Sequence, residues 1–287
     1  MKRTGFYAAV GPFLAHYEVD VKGIALIKRE TLKLPANIQY VWPHASRPFM
    51  YAAASSQVSR DVVGTDHFLC ARAIAPGTGA VTSHGSPVQL PRRAIHLTTD
   101  AASENLLVAF SRPPELQIFR IHADGTIGEH LHQRPGIDWG FLPHQVRVSA
   151  DGQLAILLTR GNPAKRGQHS SSAEMPDPGA LKVFEYKAGT LGEEGSVAPG
   201  DGRRFGPRSL DFHPTAPWVL VSLQLQNRLQ VFRREGKRIL PEPLFERELL
   251  ADPENPPCVY QRGGEVHVHP NGKFVYCVNR ADVPADY

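Results

Sequence analysis

With 287 residues, 41% of them apolar and 21% charged, the chain has an ordinary globular composition and ample material for a core. Its formal net charge of +4 is spread thinly, without the Lys/Arg blocks that track nucleic acid, and favours at most small anionic ligands. No apolar run approaches the ~18 residues of a membrane-spanning helix. Three cysteines, Cys70, Cys258 and Cys277, odd in number and without metal-ligand spacing, predict a reduced, cytoplasmic protein.

The opening stretch MKRTGFYAAVGPFLAHYEVD places a basic dipeptide before an apolar run, a faint echo of a signal peptide. Gly11-Pro12 breaks that run and His16, Glu18 and Asp20 follow, so the stretch predicts a first pair of strands instead. A third strand extends to about Pro35.

Two phrases then recur. The first is a short apolar strand, a turn rich in Pro, Asp, Gly or Ser, and a β-rich run: NIQYVWPHASRPFMYAAAS from Asn37, AIHLTTDAASENLLVAFS from Ala94, HQVRVSADGQLAILLTR from His144, RSLDFHPTAPWVLVSLQ from Arg208 and EVHVHPNGKFVYCVNR from Glu265. The second is strand, Gly-containing turn, strand: FLCARAIAPGTGAV from Phe68, ELQIFRIHADGTI from Glu115, ALKVFEYKAGTL from Ala180 and RLQVFRREGKRIL from Arg228. Together they predict four strands per unit at a period of roughly 50 to 60 residues. Such units bury their faces only against one another, so the predicted fold is an all-β β-propeller of four-stranded blades. One short helical turn is expected within 242–251 (EPLFERELLA).

Three opening strands, four complete units over about 36–262 and two closing strands make about five and a half repeats. Closing five blades from both termini would leave a strand over. The expectation is therefore one propeller domain over 1–287 that lacks its C-terminal blades.

The repeat also fixes a register. Taking Pro43, Asp100, Ala150, Pro214 and Pro270 as turn anchors, the positions six earlier are Asn37, Ala94, His144, Arg208 and Gly264, with Glu265 next. Ten later stand Ala53, Phe110, Arg160, Gln224 and Arg280. In a propeller the first strands line the central channel, and both sets of positions open on one face. His144, Arg160, Arg208, Gln224, Glu265 and Arg280 are thus expected at one channel mouth, where guanidiniums suit a carboxylate or phosphate.

Other histidines have plainer roles. His213 and His269 precede the turn prolines at the register of Trp42 and are expected to pack the turns. His130 and His132 fall on an expected outermost strand. His267 and His269 share a strand face with Glu265, but EVHVH lacks a third-ligand motif, so neither metal nor cofactor is expected. Ser170, Ser171 and Ser172 lie in a polar loop, 161–179, without a nucleophile motif. Lys165 and Arg166 in that loop could cover a bound anion.

PHQVRVSADGQLAILLTR, GPRSLDFHPTAPWVLVSL and HVHPNGKFVYCVNR resemble the lactonase family of seven-bladed β-propellers. That family includes propeller-type 6-phosphogluconolactonases and carboxy-muconate cyclases, which handle lactones without metal. The resemblance implies seven blades. In its muconate-cyclase branch it implies a site of His144, Arg208, a Glu at position 224 and Arg280. Position 224 is instead Gln224, and an amide cannot serve as general acid or base.

The expected function is metal-free hydrolysis of a sugar-acid lactone, such as 6-phospho-glucono-1,5-lactone. His144, Arg208, Glu265 and Arg280 would be catalytic, with Arg160 and Gln224 holding substrate. The alternatives are a muconate-type lactonising cycloisomerase, which Gln224 disfavours, and a non-catalytic propeller platform. The expected partner is a small anionic lactone, with neither nucleic acid nor membrane involved.

Overall fold

The computed structural model describes residues 4–57, 62–161, 177–252 and 260–282. They form 21 β-strands and a single short 3-10 turn at Pro199–Gly202. The strands assemble, in chain order, into sheets of three, four, four, four, four and two strands, each strand antiparallel to its sequence neighbour. These are propeller blades, with the strand count expected from the repeat.

Two compact units divide the chain, residues 1–110 with 117–132 and residues 111–116 with 133–287. The first contains β1 (Thr4–Val10), β2 (Phe13–Asp20) and β3 (Ala25–Lys33), then β4 (Asn37–Pro43), β5 (Phe49–Ser55), β6 (His67–Ile74) and β7 (Val81–Gln89). A further sheet is made of β8 (His96–Thr99), β9 (Asn105–Ser111), β10 (Pro114–Ile121) and the outermost β11 (Ile127–His130). The second unit contains β12 (Pro143–Val148), β13 (Leu154–Thr159), β14 (Ala180–Lys187) and β15 (Thr190–Val197). It continues with β16 (Pro207–Phe212), β17 (Trp218–Leu223), β18 (Arg228–Glu235) and β19 (Arg238–Glu248), and ends with β20 (Tyr260–Val268) and β21 (Val275–Asp282).

The second strand of each complete blade is buried on both faces, which is why LAILLT and WVLVSL read as continuous apolar runs rather than alternating ones. In the second unit Leu154, Ile156 and Leu158 of β13 meet Leu210 of β16, Val219 and Val221 of β17, and Phe232 of β18 in one cluster. Phe205 closes it edge-on against Phe232, with ring centroids 6.2 Å apart, inside the roughly 4.5–7 Å that such pairs favour. In the first unit Tyr51, Leu69, Leu97, Val108 and Phe110 form the corresponding packing.

Residues 242–248, where a helical turn was expected, belong to β19. Pairing decides it: Arg228 lies opposite Glu248 and Gln230 opposite Glu246. The Arg228 guanidinium bonds both carboxylates, and Pro241 and Pro243 sit on an edge strand, where a missing amide donor is tolerated.

Truncating Phe232 to alanine empties the centre of the cluster between β13 and β17. The expected cost is about 3–5 kcal/mol, read as a lower midpoint in urea unfolding with an unchanged native far-ultraviolet spectrum.

Candidate active site

A closing hydrogen bond defines the first turn of the five sheets from β4 onward. His44, Asp100, Ser149 and His213 each donate their amide to the carbonyl of the residue opening the second strand, and His269 to that of Phe274 just before β21, at 2.8–3.0 Å. Their side chains, though chemically different, accept amides of the same turn: His213 Nδ1 from Ala216 at 2.8 Å, Asp100 Oδ1 from Glu104 at 2.8 Å, Ser149 Oγ from Leu154 at 3.0 Å. His269 Nδ1 and His44 Nδ1 do likewise. The turn histidines thus share their register with His44, not Trp42.

The same bonds correct the register of the first two complete blades. Pro43 and Asp100 are not the structural equivalents of Ala150 and Pro214; Ala45 and Ala101 are. Counting from the true turn residues, the positions matching His144 and Arg208 are Gln39 and Ile95, not Asn37 and Ala94. Those matching Arg160, Gln224 and Arg280 are Ser55 and Ser111, not Ala53 and Phe110. Proline misled the count because Pro43 ends β4 whereas Pro214 and Pro270 follow their strands.

At the start of the first strand the pairing slips by one residue. Pro143 pairs with Thr159 and Gln145 with Leu158, so that His144 is the extra residue of the bulged strand. Pro207 pairs with Leu223 and Ser209 with Ser222, leaving Arg208 in the same position. On β20, Gly264 and Glu265 together oppose the single residue between Cys277 and Asn279. These are β-bulges, which break the alternation of faces and re-aim a side chain. Before two of them the backbone is left-handed, at Leu142 (φ 54°) and Gly206 (φ 57°), each followed by proline. That conformation is why glycine stands in GPR, whereas Leu142 adopts it at a steric cost of about 1–2 kcal/mol.

The bulges bring the sequence-selected residues together. His144 Nδ1 lies 3.0 Å from the main-chain oxygen of Arg208. Since a carbonyl only accepts, Nδ1 carries the proton and the neutral ring has its lone pair on Nε2. Gln224, which begins the loop leaving β17, accepts Arg208 NH1 at 2.9 Å and Arg160 NH1 at 3.2 Å on the same amide oxygen. Ser209 Oγ donates to Glu265 Oε2 at 2.7 Å and accepts the amide of Val266 at 3.2 Å. Gln145 ties β12 to the same serine, Nε2 to Oγ at 3.3 Å, and receives the Leu210 amide at 2.6 Å. Glu265 is therefore anchored through Ser209, and the imidazole is oriented by a peptide carbonyl.

Burial pulls the Arg208 guanidinium down to about 10, the neighbouring Arg280 and Arg262 charges adding to the fall and Glu265 opposing it. Its Nε is buried without a hydrogen-bond partner among the described residues. Arg262 is a residue the sequence reading missed. It is the cross-strand partner of Arg280 and holds the register of Gly206 on β20, where no Gly-Pro signal marks it. Gly263 beside it has no room for a side chain, since a Cβ would meet the Leu223 carbonyl oxygen at 2.6 Å.

Residues 173–286 match the family model described as Lactonase, 7-bladed beta-propeller. The 6-phosphogluconolactonase of Bacillus subtilis is 26% identical over 189 residues, 64% of this chain and 49% of that protein. The chain thus spans about half the length of this curated relative. The periplasmic gluconolactonase of Pseudomonas aeruginosa superposes with a TM-score of 0.70 over 97% of this chain and 77% of its own, at 18% identity. A Lactobacillus plantarum protein gives 0.66 over 93% and 71%, at 13% identity. The chain resembles the lactonase family of seven-bladed β-propellers.

Not every residue singled out in this lactonase-like chain joins the site. His267 is exposed, 3.9 Å from Asp211, a carboxylate already held by Arg147 at 2.9 Å and by the Val268 amide. Among the described residues no three His, Cys, Asp or Glu side chains converge as metal ligands. His130 ends the outermost strand β11 and tilts against His132 and Phe119. Lys165, Arg166 and Ser170 to Ser172 lie outside the described residues. No described helix is long and apolar enough to cross a membrane.

The lowered Arg208 value sets two pH effects. Folding depresses this pKa, so the folded chain binds fewer protons above pH 10. The charged group's unfavourable contribution is present below that pH and lifts as pH rises through it toward the unfolded value. An anion held by Arg208 needs the protonated form. Sulfate affinity, measured by calorimetry, is expected to be level up to about pH 9 and to fall through pH 10 in the wild type, with that step absent in Arg208→Met.

Proposed function

We propose that this chain hydrolyses a sugar-acid lactone without a metal, with 6-phospho-glucono-1,5-lactone the substrate to try first. The observation that carries the reading is the joining of a base and an electrophile at one residue. The Arg208 carbonyl fixes the His144 tautomer, while the Arg208 guanidinium lies within electrostatic reach of Arg280, Arg262 and Glu265. The similarity to a 6-phosphogluconolactonase supports the same class of ester.

In this mechanism His144 Nε2 takes a proton from water as the water oxygen bonds to the lactone carbonyl carbon. Arg208 and Arg280 stabilise the oxyanion that forms. The tetrahedral intermediate collapses, the ring C–O bond breaks, and the imidazolium returns its proton to the departing ring oxygen. The product is the open hydroxy acid. Glu265, fixed by Ser209, balances the imidazolium charge while it exists, and Arg160 and Gln224 hold the substrate's anionic end.

Purified protein is expected to consume the phosphorylated lactone well above its spontaneous hydrolysis in a stopped-flow proton-release assay. His144→Ala should lower kcat/KM by about 10²–10⁴ and Arg208→Ala by about 10²–10³. Rates equal to background, or unaltered in both variants, would overturn the assignment.

A further inference from the structure

Gln224 occupies the place where the resemblance implies a carboxylate, and its surroundings give the amide a use of its own. Its oxygen has two lone pairs, and both are engaged: Arg208 NH1 at 2.9 Å and Arg160 NH1 at 3.2 Å. Two cationic donors on one atom fix which end of the amide is oxygen. The NH2 group therefore faces away from the guanidiniums as a further donor. Gln224 is buried, 3% exposed, so this arrangement is shielded from competing water. A carboxylate here would bind the two arginines more strongly but would remove a unit of their positive charge.

Among the described residues, the charges acting on Arg208 are two more guanidiniums, those of Arg280 and Arg262, cross-strand partners on β21 and β20, and the carboxylate of Glu265. Among the described residues the buried Arg208 Nε has no acceptor. An incoming anion would supply both the acceptor and the missing charge.

We infer that Gln224 is a positioning residue that gathers Arg160 and Arg208 at one point without cancelling their charge, and that Arg262 joins them, so that the site selects doubly charged phosphomonoesters over singly charged carboxylates. This rests on the anion-site reading proposed above. It concerns recognition rather than the hydrolytic step.

Binding of 6-phosphogluconate and of gluconate, compared by calorimetry in wild type, Gln224→Glu, Gln224→Leu and Arg262→Met, tests it. The wild type should favour the phosphorylated acid at least tenfold. Gln224→Glu should lose most of that preference while keeping the wild-type melting temperature within a few degrees. Gln224→Leu, which leaves two guanidiniums ungathered, should weaken both ligands, and Arg262→Met should weaken the phosphorylated one selectively. Undiminished preference in Gln224→Glu and Arg262→Met would overturn this inference while leaving the lactonase reading intact. Binding of neither acid by the wild type would overturn this inference and the anion site beneath it.

Discussion

The slipped pairing at the mouth of β12, β16 and β20 is the constraint on which the candidate site depends. A regular strand alternates its side chains between two faces, and in a blade both faces of an inner strand are committed to packing. One extra residue per strand escapes that commitment. His144 and Arg208 are those residues on β12 and β16, and Gly264 with Glu265 forms the longer version on β20. A bulge costs one ladder pairing and returns a side chain whose direction does not trade against the core.

Those bulges would be of little use if the first strands were free to slide past one another. A polar lattice prevents it. Gln145, Ser209 and the Glu265–Val266 pair link three first strands through one serine hydroxyl. One turn of the pleat further along, Arg147, Asp211 and the Val268 amide repeat the linkage. Every member has a partner, which is the condition under which a buried polar network rigidifies rather than destabilises. The turn residues His213 and Ser149 hold the far ends of the same strands.

How much of this could be read from the sequence depended on whether a local signal tracked a local bond. The blades were legible because each carries its turn chemistry in a fixed order, and Phe274 to Val278 repeats the grammar of Trp218 to Leu223. His144, Arg208 and Arg280 were legible because their blades keep the turn residue in step with the following alanine or proline. In the first two complete blades that link fails. Pro43 belongs to the strand, so counting from it displaced the register by two and pointed to Asn37 and Ala53 in place of Gln39 and Ser55. Arg262 was hidden for another reason: its partnership with Arg280 is a cross-strand pairing that no spacing along the chain announces. The glutamates of β19 read as helical because their partner, Arg228, is distant in sequence.

The electrostatics give these parts a direction. Burial lowers the proton affinity of Arg208, and two neighbouring guanidiniums lower it further. The chain thus holds a charge under conditions less favourable than water would offer. Such an arrangement opposes folding in proportion to the depression. It is tolerated where the lattice around Ser209 and the packing beneath β17 supply the compensation. In the proposed anion site the same unfavourable balance would reverse on binding, since each negative charge would then meet several oriented donors rather than mobile ones. Gln224 is central to that reversal. Its amide keeps two guanidiniums close while leaving their charge uncancelled, so under the proposed reading a ligand would gain more from the site the more negative charge it brought.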